Sequence, residues 1–124
     1  MGKYNCRCTI IASNFILYCK NWEETVDFYS NKIDLPISFR NDWFVEFILN
    51  DLSRLSVAHE SRASIKSSSG AGITLSLRIH DIQSQRELLI NKGVDTPEIK
   101  LHAWGASVLY IYDPEGNRIE FWEE

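Results

Sequence analysis

The sequence predicts an α+β domain of two βαβββ modules that share one curved mixed sheet, with the helices on its outer face. Three observations carry this. The elements run strand, helix, three strands, and the order then repeats. Sliding the chain by 60 residues puts Leu17 on Leu77, Asn21 on Asp81, Asp27 on Glu87 and Asn31-Lys32 on Asn91-Lys92, so the pattern of the strand–helix unit recurs. A module of about 60 residues cannot bury both faces of a sheet by itself. The two must therefore pair, giving a single domain over residues 1–124.

Module one covers about 9–61. Phe15-Ile16-Leu17-Tyr18-Cys19 is an apolar strand. Asn21 suits a helix N-cap, and Glu23 and Glu24 suit the positive end of the first turn. Trp22, Val26, Phe28, Tyr29 and Ile33 recur at near-helical spacing, which predicts one helix with Trp22 and Phe28 in the core. Pro36 ends that unit. Ile37–Phe39, Trp43–Leu49 and Arg54–His59 are strands, divided by the turns Asn41-Asp42 and Asn50-Asp51. Residues 62–72, rich in Ser and Gly, read as a flexible linker.

Module two covers about 73–124. Ile73–Ile79 alternates as a strand. Asp81 caps a helix that runs to Lys92, and Gly93 stops it. Three short strands follow. The last two are joined by Asp113-Pro114-Glu115-Gly116-Asn117, where Pro114 fixes a negative φ and Gly116 supplies a positive one.

Composition narrows the function classes. An apolar share of 44% with 24% charged residues suits a soluble globular protein. The net charge of -4, with scattered Lys and Arg, argues against nucleic acid and against a membrane surface. No apolar run approaches the roughly 20 residues of a spanning helix. The apolar run near the N-terminus is too short for a signal peptide, so a cytoplasmic location is expected. Three cysteines do not suit a disulfide framework. Cys6 and Cys8 read as reduced thiols and Cys19 as a buried core thiol.

Two stretches are more specific. Leu17–Pro36 (LYCKNWEETVDFYSNKIDLP) and Tyr112–Glu123 (YDPEGNRIEFWE) resemble the first and last signatures of the vicinal oxygen chelate superfamily. That superfamily comprises glyoxalase I, extradiol dioxygenases, and fosfomycin- and bleomycin-resistance proteins. The resemblance implies a cavity inside the curved sheet. In the metal-dependent members an ion sits there, held from the first and last strands of each module. Glu120 matches the last such position. Asn14 and Thr74 fall on the first-strand positions, where the superfamily carries His or Gln. The fourth position is Ser56 or Glu60, depending on register. Two-module chains of this kind usually form homodimers whose pockets draw on both chains, so a symmetric dimer is expected.

Side-chain parity fills in the cavity. Asn14, Tyr18, Thr74, Arg78, Glu120 and Trp122 should point into it, with Trp43 and Trp104 at its rim. Such an aromatic, small-polar lining suits a planar or amphipathic small molecule. A buried charge needs a partner, and Arg78 is the natural one for Glu120. The expectation is a small-molecule binder similar to the bleomycin-resistance branch, with no cofactor and with Glu120 as the one candidate catalytic residue. The alternative is a lyase or dioxygenase of the glyoxalase I type, with zinc, nickel, iron or manganese held by Glu120, Glu60 and His102.

Overall fold

The computed structural model describes residues 9–124, so Cys6 and Cys8 lie outside the described residues. Both βαβββ modules form. Module one holds β1 (Ser13–Cys19), α1 (Trp22–Asp27), β2 (Ile37–Arg40), β3 (Phe44–Asn50) and β4 (Ser53–His59). Module two holds β5 (Thr74–Arg78), α2 (Ile82–Asn91), β6 (Lys100–Leu101), β7 (Ser107–Tyr112) and β8 (Arg118–Glu123). Each module makes a mixed four-stranded sheet, in the orders β1-β4-β3-β2 and β5-β8-β7-β6. The expected single sheet thus comes as two halves, and among the described residues no strand pairing joins them. Among the described residues the first strand of each half pairs on one side only, so β1 and β5 are edge strands.

The two registers fix the repeat. Asn14 lies opposite Arg54 and Ile16 opposite Ser56. Thr74 lies opposite Arg118 and Ser76 opposite Glu120. Ser56 is therefore the counterpart of Glu120. Glu60 lies past the strand, on a 3₁₀ turn over Glu60–Arg62. The repeat is also visible where the helical segments end. Lys32 Nζ donates to the Lys92 carbonyl at 2.7 Å, and Lys92 Nζ donates to the Asn31 carbonyl at 2.8 Å.

The first helix differs from expectation in two ways. It is α-helical only to Asp27, then continues as a π-turn over Phe28–Lys32, closed by Ile33 N–H to the Phe28 carbonyl at 3.0 Å. The wider turn lets the adjacent Phe28 and Tyr29 both go inside. Its N-terminus is not capped by the Asn21 side chain. The Glu115 carboxylate, from the other module, accepts the Lys20 and Asn21 N–H groups at 2.8 Å each. Asp81 does cap α2 as expected, accepting the Ser84 N–H at 3.1 Å.

The helix-facing sides of both sheets feed one buried cluster. Leu17, Phe47 and Val57 come from the first sheet, and Leu109, Ile111 and Ile119 from the second, with Trp22, Tyr29 and Leu89 from the helical segments. Burying this apolar surface, at about 25 cal/mol per Å², is the main stabilising term. The Asp113–Asn117 turn locks the modules together. Asp113 accepts the Glu115 and Asn117 N–H groups, the Asn117 side chain and, at 2.6 Å, the Tyr29 hydroxyl. The linker is held rather than loose. Ser67 N–H donates to Glu60 at 2.9 Å, and the Ser67 hydroxyl donates to Glu115.

Candidate functional site

Period-2 alternation leaves each sheet one face away from the core. On β5 it is complete, with Thr74, Ser76 and Arg78 exposed and Leu75 and Leu77 half-buried toward the core. The open face of the first sheet carries Asn14, Ile16 and Tyr18 of β1 beside Arg54 and Ser56 of β4. Asn14 Oδ1 accepts the Ser56 hydroxyl at 2.8 Å. Arg54 Nε lies 3.8 Å from the Glu46 carboxylate. Trp43 stands apart, before the start of β3, with its ring 5.5 Å from Phe44 and the Arg62 guanidinium 5.9 Å away.

The open face of the second sheet is richer. Register sets three rows: Thr74, Arg118 and Tyr112; Ser76, Glu120 and Tyr110; Arg78, Trp122 and Val108. Over the last two rows folds the loop between β6 and β7, where Gly105 takes a φ of +97°. The loop brings Trp104 to 5.6 Å from Trp122 and stacks His102 on Trp104 at 6.0 Å. His102 Nε2 lies 3.2 Å from the Tyr110 hydroxyl. Tyr110 and Trp122 thus flank Glu120 on this face, and His102 and Trp104 pack on those two rings. Trp104 is 59% exposed, so one indole face is open to a ligand.

The charges on this face are arranged differently from expectation. Arg78 does not pair with Glu120. Its Nη2 lies 3.1 Å from Glu124, and its guanidinium sits 5.2 Å from the Trp122 ring centre. Arg118 donates Nε–H to the Thr74 hydroxyl at 3.0 Å and lies 4.7 Å over the Tyr110 ring. Glu120 has, among the described residues, only the long contact from the Ser76 hydroxyl, at 3.4 Å. Among the described residues, neither Glu120 nor Arg118 takes part in an ion pair.

Thr74, Arg78, Trp104, Glu120 and Trp122 therefore share one face, while Asn14 and Tyr18 lie on the first sheet and Trp43 at the end of that sheet, its carbonyl accepting the His59 N–H at 2.8 Å. Glu60 is turned to the linker. Among the described residues no three His, Cys, Asp or Glu side chains converge, so Glu120, Glu60 and His102 do not assemble in this chain. Tyr110 is not among the residues that parity singles out above, although counting back across the Asp113–Asn117 turn sets it opposite Glu120. A cavity of about 630 Å³ runs along β5, lined by Phe15, Leu35, Leu55, Leu75 and Leu77 and reaching Thr74, Ser76 and Arg78 of the open face. Among the described residues no helix is long and apolar enough to cross a membrane.

Comparison with known proteins agrees with the fold. A family model described as the Glyoxalase/Bleomycin resistance protein/Dioxygenase superfamily matches residues 11–121. The chain is 28% identical over 121 residues to an uncharacterised Bacillus subtilis (strain 168) protein, YraH, covering 86% of this chain and 93% of that one. A glyoxalase/bleomycin resistance protein/dioxygenase structure from Nocardioides superposes with a TM-score of 0.78 at 18% identity, covering 96% of this chain and 85% of that one. A superfamily member from Sphaerobacter thermophilus DSM 20745 gives 0.76 at 22%, with 94% and 98% covered. A lactoylglutathione lyase from Agrobacterium tumefaciens gives 0.74 at 17%, with 90% and 91% covered. With the match running through both modules, the chain belongs to the glyoxalase/bleomycin resistance protein/dioxygenase superfamily.

Proposed function

We propose that this protein binds a small planar or amphipathic molecule on the open face of the second sheet, and does so without a metal ion. The observation that carries the reading is the cluster of rings His102, Trp104, Tyr110 and Trp122 on the face that holds Glu120, a carboxylate with no cationic partner among the described residues. Rings offer stacking surface at little conformational cost, and a few polar groups set the orientation.

The donor set at the four superfamily metal positions supports the metal-free form. Those positions carry Asn14, Ser56, Thr74 and Glu120: one carboxylate, one amide and two hydroxyls. Zinc, nickel and iron favour imidazole, thiolate and carboxylate. Asn14 is already bonded to Ser56, and the Arg118 guanidinium is bonded to Thr74. A fixed positive charge at a donor opposes a divalent cation. These residues do not fit such an ion.

A single chain presents two separate open faces, each with a free-edged strand beside it. We read the complete pocket as shared between two copies, one chain's second sheet facing its partner's first sheet, with Asn14 and Tyr18 as the far wall.

Two measurements test this. Elemental analysis of the purified protein, with titrations of zinc, nickel, iron(II) and manganese, should show no stoichiometric metal; stoichiometric metal lost in Glu120→Gln would overturn the reading. Planar aromatic probes should bind, and Trp104→Ala should weaken them about tenfold, the scale of one lost stacking contact. Unchanged affinity in Trp104→Ala would remove the second sheet as the site.

A further inference from the structure

The geometry points to a ligand class for this face: an aromatic zwitterion, an amino-acid-like molecule with a carboxylate, an ammonium and a ring. The inference rests on the reading above that the face binds small molecules. It comes from two charged groups of opposite sign on one strand that do not satisfy each other.

Glu120 and Arg118 are two residues apart on β8, so their side chains leave the same face with attachment points about 6.6 Å apart, two rises of a strand. Opposite charges so placed can close an ion pair, and here they do not. Arg118 is turned toward the neighbouring strands, bonded through Nε to Thr74 and lying over Tyr110. Those contacts fix the plane of the guanidinium. The outer N–H groups of that plane match the two oxygens of a carboxylate. Glu120 keeps a carboxylate whose protein contact is the 3.4 Å approach of Ser76. The third charge on the face, Arg78, is held by Glu124 and by the Trp122 ring.

The face thus offers a held cation at Arg118, an anion at Glu120 that has no ion-pair partner among the described residues, and beyond it the rings of Trp122 and Trp104. A molecule whose carboxylate meets Arg118 and whose ammonium meets Glu120 places its ring on the aromatic wall. A ligand with only one charge leaves one of the two groups partly desolvated and unpaired, which costs affinity. This selects zwitterions over acids and amines of the same shape.

The test uses three probes of one shape: L-phenylalanine, phenethylamine and 3-phenylpropionate, titrated calorimetrically into the purified full chain. L-phenylalanine should bind about tenfold tighter than either singly charged probe. Arg118→Gln should bring it to the level of phenethylamine, and Glu120→Gln to the level of 3-phenylpropionate. Both side chains are partly exposed, so the isosteric Glu120→Gln and the shortening Arg118→Gln should leave the fold intact, which circular dichroism checks. Equal affinity for all three probes, or a single-charge probe matching L-phenylalanine, overturns the zwitterion inference while leaving aromatic binding in place. No binding by any probe, in a protein that also ignores uncharged planar aromatics, sinks the small-molecule reading of this face as well.

Discussion

At the scale of single residues, Glu115 does most to join the modules. It closes the N-terminus of α1 from the other half of the chain and accepts the Ser67 hydroxyl. Desolvation pushes its carboxyl up, but the bonds from Ser67 and from the Lys20 and Asn21 amides outweigh this and hold it below the ordinary 4.5. A folded value below the unfolded one means stability that is present above 4.5 and lost as pH falls through the folded value. Glu115→Gln should cost about 1–2 kcal/mol at neutral pH, as for a lost charged cap. It should also flatten the acid side of the stability curve. Urea unfolding at neutral and acid pH checks both; a variant that tracks the parent at every pH would show that the cap contributes nothing. Cys19 gives a second prediction. Burial, then the charges of Glu115 and Asp113, push its thiol up to about 12. A thiol so protonated is inert. In a Cys6→Ser, Cys8→Ser background, a disulfide reagent should titrate no thiol in the folded protein and one after unfolding.

At the scale of elements, the linker and the Asp113–Asn117 turn meet backbone to backbone. Gly70 has a φ of +84°, and a Cβ there would stand 2.0 Å from the Gly116 carbonyl oxygen. Gly72, with a φ of +76°, opens on empty space. Gly72→Ala should therefore cost only the left-handed strain, about 1–2 kcal/mol. Gly70→Ala carries the same strain plus a collision with rigid backbone, and should cost clearly more and loosen the modules. Thermal unfolding of the pair separates the two terms; equal losses would mean that the contact yields freely. These elements also show what the sequence could and could not tell. The strands, α2 and the 60-residue repeat were legible because alternation, the Asp81 cap and the Gly93 stop are local signals. The π-turn was not, because Phe28 and Tyr29 keep near-helical spacing while going inside together. The partner of Arg78 was missed because Glu124 reaches it from the last residue of the chain, a long-range contact that parity does not encode. Thr74, Glu120 and Trp122 were placed on one face by parity alone. That His102 and Trp104 fold over them depends on the β6–β7 loop, which has no period to read.

At the scale of the whole molecule, the edges of β1 and β5, unpaired among the described residues, support the two-copy assembly proposed above. β1 is a seven-residue edge strand, SNFILYC, with no charge and no proline along it. Such an edge is a hazard unless another chain or element covers it. Phe15 is 61% exposed and Ile16 38%. Next to them the half-buried Leu75 and Leu77 of β5 line the same cavity. The internal repeat makes β1 and β5 equivalent edges, so a two-fold-related copy can set each β1 beside its partner's β5 and satisfy both seams at once. That assembly is closed, unlike an open head-to-tail chain. In the shared pocket proposed above, Asn14 and Tyr18 of one copy would lie over Glu120 and Trp122 of the other. The protein should therefore sediment at twice its chain mass at micromolar concentration. Phe15→Lys puts a charge on that edge without removing a buried side chain, and should give a folded monomer that has also lost affinity for aromatic probes. A parent that sediments as a monomer would leave the β1 edge uncovered and the two open faces as separate half-sites. A Phe15→Lys monomer with full affinity would confine binding to the second sheet alone.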